Sequence, residues 1–165
     1  MTVSVSDLVS TARLQYATIA TAESCTGGLV SAALTGVPGS SAVFSHGYVT
    51  YSNSAKTEML GVSVKTLADF GAVSPEVAAE MALGALRSSG ATIAVSISGI
   101  AGPGGSDHKP EGRVCFGLAI TDQKTITKTL EFGALGRQNV REAACKQALE
   151  LLHNAVHDMN SHLQK

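Results

Sequence analysis

The sequence contains no tryptophan, and its four phenylalanines and three tyrosines are dispersed along 165 residues. It has no run of lysine or arginine, and its formal net charge is -1 at pH 7. Proteins that bind nucleic acids use basic surfaces for the phosphates and aromatic side chains for the bases. The chain lacks both features, so we predict no nucleic-acid partner.

Charged side chains are also scarce. Asp, Glu, Lys and Arg make up 15% of the chain, against about 25% in an average soluble domain. A surface with few charges is typical of a chain that another subunit partly covers. We therefore expect a homo-oligomer, either a dimer or a larger assembly.

Cysteine is infrequent as well. Cys25, Cys115 and Cys145 are far apart, odd in number and form no C-x-x-C pair. This excludes a disulfide framework and indicates a reducing compartment. The sequence also shows no signal peptide and no apolar run of about 18 residues. We therefore expect a soluble cytoplasmic protein without a membrane partner.

The elements that are present alternate between helix and strand. Apolar periodicity and turn residues predict helices over residues 5–15, 25–40, 54–61, 74–90 and about 137–159. Strands are predicted over 16–24, 42–52 and 91–99, followed by a hairpin around Asp122 and Gln123. The run 91–99 is almost entirely apolar, which is typical of a central strand buried on both faces. The pattern predicts one domain over residues 1–165, a three-layer α/β/α fold with a mixed sheet of about five strands.

The first candidate site is the motif ESCTGG, where a strand turns sharply into a helix. Such turns lie at the carboxyl edge of the sheet and offer free backbone N–H groups to an anion or an oxyanion. Ser24 and Cys25 are the two possible nucleophiles. The equally weighted alternative is a helix cap with glycines chosen for packing. The motif is not G-x-S-x-G, because Ala22 and Thr26 stand in place of the glycines.

A serine nucleophile needs a base, which is usually a histidine or a deprotonated lysine. His153 and His157 are four residues apart and suggest a metal pair, but an exposed helix face near a C-terminus is the commoner case. His46 falls on a strand and His108 in a glycine-rich loop. Lys56 follows a strand among small neighbours, where burial could lower its pKa, although most lysines are solvated.

Two further segments are candidates for anion binding. Residues 98–112 follow a buried strand and contain five glycines and two prolines, so their amides could form an anion nest, or simply a surface loop. Arg137 and Arg141 lie in the first turns of the last helix, where cations oppose the helix dipole. A bound anion offsets that cost, and so does an ion pair with Glu142 or Glu131.

Four motifs in order together resemble the CinA C-terminal domain family: AESCTGG, GVPGSSAVFSHGYVTYSNSAKTEMLGV, SISGIAGPGG and KPEGRVCFGLA. The resemblance covers about residues 5–160. Standalone members of this family are nicotinamide-nucleotide amidases. Longer members carry an N-terminal nucleotide pyrophosphatase domain, and we do not expect that activity from these 165 residues.

The resemblance implies hydrolysis of nicotinamide mononucleotide to nicotinate mononucleotide and ammonia, with no metal and no cofactor. Its implied catalytic residues are Ser24 as nucleophile, Lys56 as base and Tyr51 as a positioning group. An arginine is expected to hold the substrate, and Arg141 is favoured over Arg137. The other expected substrate contacts come from the two glycine-rich motifs: Cys25, Thr26, Gly27, Ser98, Gly99, Gly102, Gly104 and Gly105.

Two other classes of function remain open at this point. A nucleotide-binding or regulatory module could keep the fold without turnover, although Ser24 and Lys56 argue against it. A phosphotransferase or phosphatase could use the glycine-rich loops, but the sequence shows no evident aspartate cluster for Mg²⁺.

Overall fold

The structure is a computed structural model and describes residues 2–106 and 108–162. It contains six α-helices, five strands and one short 3₁₀-helix within these residues. In chain order they are α1 (Val5–Leu14), β1 (Ile19–Glu23), α2 (Leu29–Thr35), the 3₁₀-helix (Ser40–Ala42), β2 (Phe44–Val49), α3 (Asn53–Leu60), α4 (Val64–Phe70), α5 (Pro75–Ser89), β3 (Ile93–Gly99), β4 (Arg113–Ile120), β5 (Ile126–Glu131) and α6 (Arg137–His162).

The five strands form one mixed sheet in the order β2-β1-β3-β4-β5. Strands β2, β1 and β3 are parallel to one another, whereas β4 and β5 are each antiparallel to the preceding strand. The middle strand, β3, is buried along its length up to Gly99. The buried central strand confirms the prediction from the apolar run 91–99, and the five-strand mixed sheet confirms the one predicted from the alternating elements and the hairpin.

Helices cover both faces of the sheet, which confirms the three-layer fold. Helices α1, α2 and α6 pack on one face, and α5 packs on the other with α3 and α4 against it. The large side chains of β3, such as Ile93 and Ile97, face α6, while Ala94 faces α5. Small residues on the α5 side let that helix approach closely: a side chain at Gly117 would collide with the backbone of Ala78.

Helix α6 buries one stripe of its surface, with Val140, Ala144, Ala148, Leu152 and Val156 all fully buried. The spacing of four residues keeps these side chains on one face of the helix. Leu149 and Ala155, beside this stripe, are buried as well. None of the helices in the described part of the chain is long and apolar enough to cross a membrane.

The structure differs from the sequence prediction at two helices. Helix α2 begins at Leu29 and not at Cys25, because Gly27 and Gly28 adopt positive φ angles of 57° and 104°. Helix α4 was not predicted at all. It buries no residue completely, so it lacks the apolar stripe on which the prediction depends.

Candidate active site

The ends of three neighbouring strands meet at the carboxyl edge of the parallel part of the sheet. Ser24 directly follows β1, and its N–H donates to Ile97 O on β3 at 2.9 Å. Thr50 directly follows β2, and its N–H donates to Glu23 O at 2.9 Å. Ligands bind at this edge in open α/β sheets. The turn predicted from ESCTGG therefore lies where the fold favours a site.

Helix α3 places Lys56 at this edge of the sheet. Ser52 caps the helix by accepting a hydrogen bond from Ala55 N–H, and Lys56 follows in the first turn. Although lysine is rarely buried, Lys56 is only 1% exposed. Its Nζ lies 3.0 Å from Ser24 Oγ and 2.8 Å from Thr50 O. The structure thus brings together the two residues expected to act as nucleophile and base.

The surroundings of Lys56 favour a neutral amine. Burial lowers its pKa below the ordinary value of 10.5. A neutral amine has two N–H groups and one lone pair. The carbonyls of Thr50 and Tyr51, the latter at 3.4 Å, can accept the two N–H groups. The lone pair is then free to accept the Ser24 hydroxyl proton, as a general base does.

Cys25, the rival nucleophile, lies in a different electrostatic environment. Burial is the main cause that raises the pKa of its thiol to about 11. The reactive form of cysteine is the thiolate, which is a minor species at neutral pH when the pKa is this high. The pairing with Lys56 and the raised thiol pKa both favour Ser24 over Cys25.

Glu23 holds the turn that carries Ser24. Its carboxylate accepts hydrogen bonds from Val30 N–H at 2.9 Å, Ser31 N–H at 3.0 Å and Ser31 Oγ at 2.7 Å. It therefore caps helix α2 from the preceding strand. The N–H groups of Cys25 and Thr26 have no protein acceptor within residues 2–106 and 108–162. Of these two residues Cys25 also lines the cleft beside Ser24, so its N–H is the candidate donor to an oxyanion.

We expect Glu23→Gln to destabilise the fold by about 1–3 kcal/mol. The substituted amide places an N–H₂ group against backbone donors and leaves one of them without an acceptor. Urea unfolding monitored by circular dichroism measures the change. The matched control is Glu58→Gln, since Glu58 is exposed on α3 and its substitution should shift stability by less than about 0.5 kcal/mol. Equal effects of the two variants would contradict the capping role.

A cleft of about 370 Å³ opens beside Ser24 and Lys56. Arg137 forms part of its wall and donates to Gly102 O at 2.8 Å and to Tyr51 Oη at 2.9 Å. Gly102 and Gly104 have positive φ angles of 91° and 75°. The full lining consists of Ser24, Cys25, Tyr51, Lys56, Ala72, Val73, residues 98–106 and Arg137.

The glycine-rich segment 98–106 presents backbone donors to this cleft. The N–H groups of Gly102, Gly104 and Gly105 have no acceptor in the described part of the chain. Free backbone amides in turn conformations form concavities that bind anions, and Gly102 and Gly104 adopt positive φ angles here. Ser98 also lies on the cleft wall, but its hydroxyl is already engaged, donating to Ala72 O at 2.7 Å.

Three of the expected substrate contacts lie behind the nucleophile, off the cleft wall. Arg141 donates to Cys25 O at 3.0 Å and to Thr26 O at 3.3 Å. Thr26 is fully buried, and a side chain at Gly27 would contact the Arg141 guanidinium at 3.5 Å. Arg141 thus braces the turn that carries Ser24, whereas Arg137 faces the cleft.

No histidine of the described residues lines the cleft. His46 stacks on Tyr48 at the edge strand β2, with ring centroids 6.0 Å apart. His108 lies in an adjoining cavity of about 510 Å³. His153 and His157 contact Asp7. His162 lies outside the residues whose side chains the structure describes.

The sequence reasoning missed two contributors to the site. Thr50 contributes its backbone carbonyl. Every residue has one, so the type of residue cannot predict this role. Glu23 could have been found, because a carboxylate that ends an apolar strand is buried and needs donors. The donors are the free N–H groups at the start of the next helix.

Comparison with known sequences identifies the family. A profile described as the CinA C-terminal domain matches residues 2–156. The chain belongs to the CinA C-terminal domain family. Solved structures agree: the competence/damage inducible protein CihA from Agrobacterium tumefaciens is 43% identical, with a TM-score of 0.85 over 93% of this chain and 95% of that one. A CinA superfamily protein from Klebsiella pneumoniae 700603 is 35% identical, with a TM-score of 0.88 over 93% and 96%.

The relatives of this CinA C-terminal domain differ in how much of their own length the match covers. The nicotinamide-nucleotide amidohydrolase PncC of Enterobacter agglomerans is 54% identical over 130 residues, covering 78% of this chain and 79% of the relative. The protein of the same name from Escherichia coli K12 is 53% identical over 137 residues, covering 82% of each. A CinA-like protein from Chloroherpeton thalassium is 51% identical, but the match spans only 34% of its length.

Proposed function

We propose that this chain is a nicotinamide-nucleotide amidohydrolase that converts nicotinamide mononucleotide to nicotinate mononucleotide and ammonia. Relatives named for this activity are more than 50% identical across most of their own length. The observation that carries the chemistry is a buried lysine with its Nζ 3.0 Å from a serine hydroxyl at the mouth of a cleft.

In the first half of the reaction, Ser24 Oγ attacks the carboxamide carbon while its proton passes to Lys56 Nζ. The carbonyl oxygen becomes an oxyanion, which the N–H group of Cys25 on the cleft wall stabilises. The tetrahedral intermediate collapses and its C–N bond breaks. Lys56 returns the proton to the leaving nitrogen, so that ammonia departs and an ester to Ser24 remains.

In the second half, water takes the place of ammonia. Lys56, neutral again, accepts a proton from water as its oxygen attacks the ester carbon. The C–O bond to Ser24 breaks, and the proton held by Lys56 returns to Ser24 Oγ. Nicotinate mononucleotide leaves as the carboxylate after losing its acid proton to solvent, and the enzyme is restored.

We assign the nucleotide phosphate to Arg137 together with the free amides of Gly102, Gly104 and Gly105. Arg137 lies on the cleft wall, and its guanidinium already bridges the glycine-rich segment and Tyr51. Arg141 was the preferred candidate from the sequence, but its donors are directed at two backbone carbonyls behind Ser24. We therefore prefer Arg137 for the phosphate and give Arg141 a bracing role.

Arg137→Ala is expected to raise KM for nicotinamide mononucleotide about 10- to 100-fold, the effect of one lost charge-assisted hydrogen bond. Steady-state kinetics with nicotinamide riboside, which has no phosphate, provides the control. With that substrate, Arg137→Ala should change KM by less than about threefold. Arg141→Ala should instead lower kcat with either substrate. It should also lower the free energy of unfolding. Equal loss on both substrates for Arg137→Ala would contradict the phosphate assignment.

The activity itself is tested by ammonia release from nicotinamide mononucleotide in the presence of EDTA. We expect turnover with one ammonia released per nicotinate mononucleotide formed. Binding of the nucleotide without ammonia release would support the regulatory module. Release of inorganic phosphate that EDTA abolishes would support the phosphatase.

The homo-oligomer and the cytoplasmic location stay predictions. The exposure of Leu14 and Tyr16, at 79% and 91%, supports a covered surface near the end of α1. Sedimentation velocity measures the assembly, and a monomer at micromolar concentration would contradict it.

A further inference from the structure

We propose that Asp7, His153 and His157 form a binding site for a divalent transition-metal ion that joins α1 to α6. The three residues come from helices near opposite ends of the sequence, and the fold packs those helices together. Their ligand atoms all lie within 4.8 Å of one another. This site is separate from Ser24 and Lys56, and the proposal does not rest on the amidohydrolase activity.

The geometry of the cluster suits a chelate. Asp7 Oδ2 lies 2.9 Å from His153 Nε2 and 3.0 Å from His157 Nε2. The histidines are one helical turn apart, which is the spacing that places two imidazoles on one metal. Two ligand atoms about 2.1 Å from a metal are about 3.0 Å apart at an octahedral right angle and about 3.4 Å apart at a tetrahedral angle. The two separations between Asp7 and the histidines, which are hydrogen bonds in the structure, match the octahedral value, and the third pair of ligand atoms lies within 4.8 Å.

The chemistry and exposure of the cluster indicate the class of ion. Two imidazoles and one carboxylate favour Zn²⁺, Ni²⁺, Co²⁺ or Cu²⁺ over Mg²⁺ and Ca²⁺, which prefer oxygen ligands alone. The three side chains are partly open to solvent, at 24% for His153, 42% for His157 and 49% for Asp7. Water can therefore complete the coordination shell.

The position of the cluster gives the ion a structural role. Along α6, His153 lies sixteen residues from Arg137, about 24 Å at 1.5 Å per residue. An ion at this distance from the cleft cannot contact the reacting atoms. It can tie the first helix to the last, and binding that favours the folded state raises the melting temperature.

The test titrates EDTA-treated, desalted protein with Zn²⁺, Ni²⁺ or Co²⁺ alone. At metal concentrations about 100-fold above Kd, we expect Tm to rise by about 5 to 10 °C. We also expect Co²⁺ to develop d–d absorption with one equivalent bound and without thiolate charge-transfer bands. EDTA should reverse both changes. Ammonia release is assayed separately, so its presence or absence does not bear on the site.

Matched variants identify the ligands. His157→Ala and Asp7→Asn should abolish the Tm shift and the Co²⁺ spectrum. Asp158→Asn removes a neighbouring exposed carboxylate outside the cluster, and His46→Ala removes a distant imidazole; both should retain the response. No binding by the wild type at millimolar metal, a response that survives in His157→Ala, or thiolate bands from cysteine coordination would each overturn the proposal. If Asp7→Asn proves unstable, His157→Ala alone decides.

Discussion

Replacing Ser24 with alanine should reduce kcat for ammonia release by about 10³-fold or more while the protein stays folded. In the proposed mechanism the hydroxyl oxygen of Ser24 forms the acyl bond, and its removal leaves that step without a nucleophile. Cys25 is adjacent, but its pKa of about 11 leaves its thiol protonated. Because Ser24 is a small residue at the end of a strand, its truncation leaves almost no cavity. Steady-state kinetics and thermal unfolding measure the two effects together.

The matched control for this prediction is Cys25→Ser. It changes one atom at the adjacent position, so the turn and its amides should persist, and kcat should fall by less than about tenfold. A second measurement is intact-protein mass spectrometry after rapid quenching, in which wild type should carry a nicotinate mononucleotide ester that Ser24→Ala lacks. Full turnover by Ser24→Ala, or inactivation by Cys25→Ser alone, would move the nucleophile away from Ser24.

The parts of the fold that could be predicted from sequence are those with strong local patterns. The buried run of β3 and the helix that begins at Pro75 after its Ser74 cap follow from residue type and spacing. Helix α4 could not be predicted, because it lies on the surface and buries no complete side chain. Its position depends on contacts with α5 that are invisible in a local window.

The placement of the candidate site residues in the fold was predictable to the same degree. The residue types of the turn at Ser24 and of the glycine-rich loop predict their roles, since they indicate a possible nucleophile and free backbone amides. The choice between Arg137 and Arg141 could not be made from spacing, since both lie in the first turns of α6. One turn of helix separates a guanidinium that faces the cleft from one that braces a backbone turn. That difference depends on how α6 crosses the sheet, which is a tertiary property.

Lys56→Met should lower kcat by about 10²- to 10⁴-fold, the usual contribution of a general base. Methionine keeps most of the length and apolar packing of the buried side chain but cannot accept a proton. In the wild type, kcat should rise with pH as Lys56 loses its proton, with an apparent pKa below 10.5 because burial disfavours the charged form. The exposed Lys124 provides the control, and Lys124→Met should leave both kcat and its pH profile unchanged.

The same substitution should change how stability depends on pH. In the unfolded chain Lys56 binds its proton up to about 10.5, whereas the folded state releases it at a lower pH. Between these two pKa values Lys56 holds more protons in the unfolded state, so this residue makes stability rise with pH in that window. Cys25 and Cys145, whose thiol pKa values burial raises to about 11, contribute the opposite slope in wild type and variant alike. Lys56→Met removes the lysine contribution alone, so its free energy of unfolding should change with pH along a less positive slope than that of the wild type. Urea unfolding at several pH values measures both slopes, with Lys124→Met following the wild type. Parallel slopes for wild type and Lys56→Met would mean that Lys56 keeps an ordinary pKa and is charged when Ser24 must lose its proton, which would exclude it as the base.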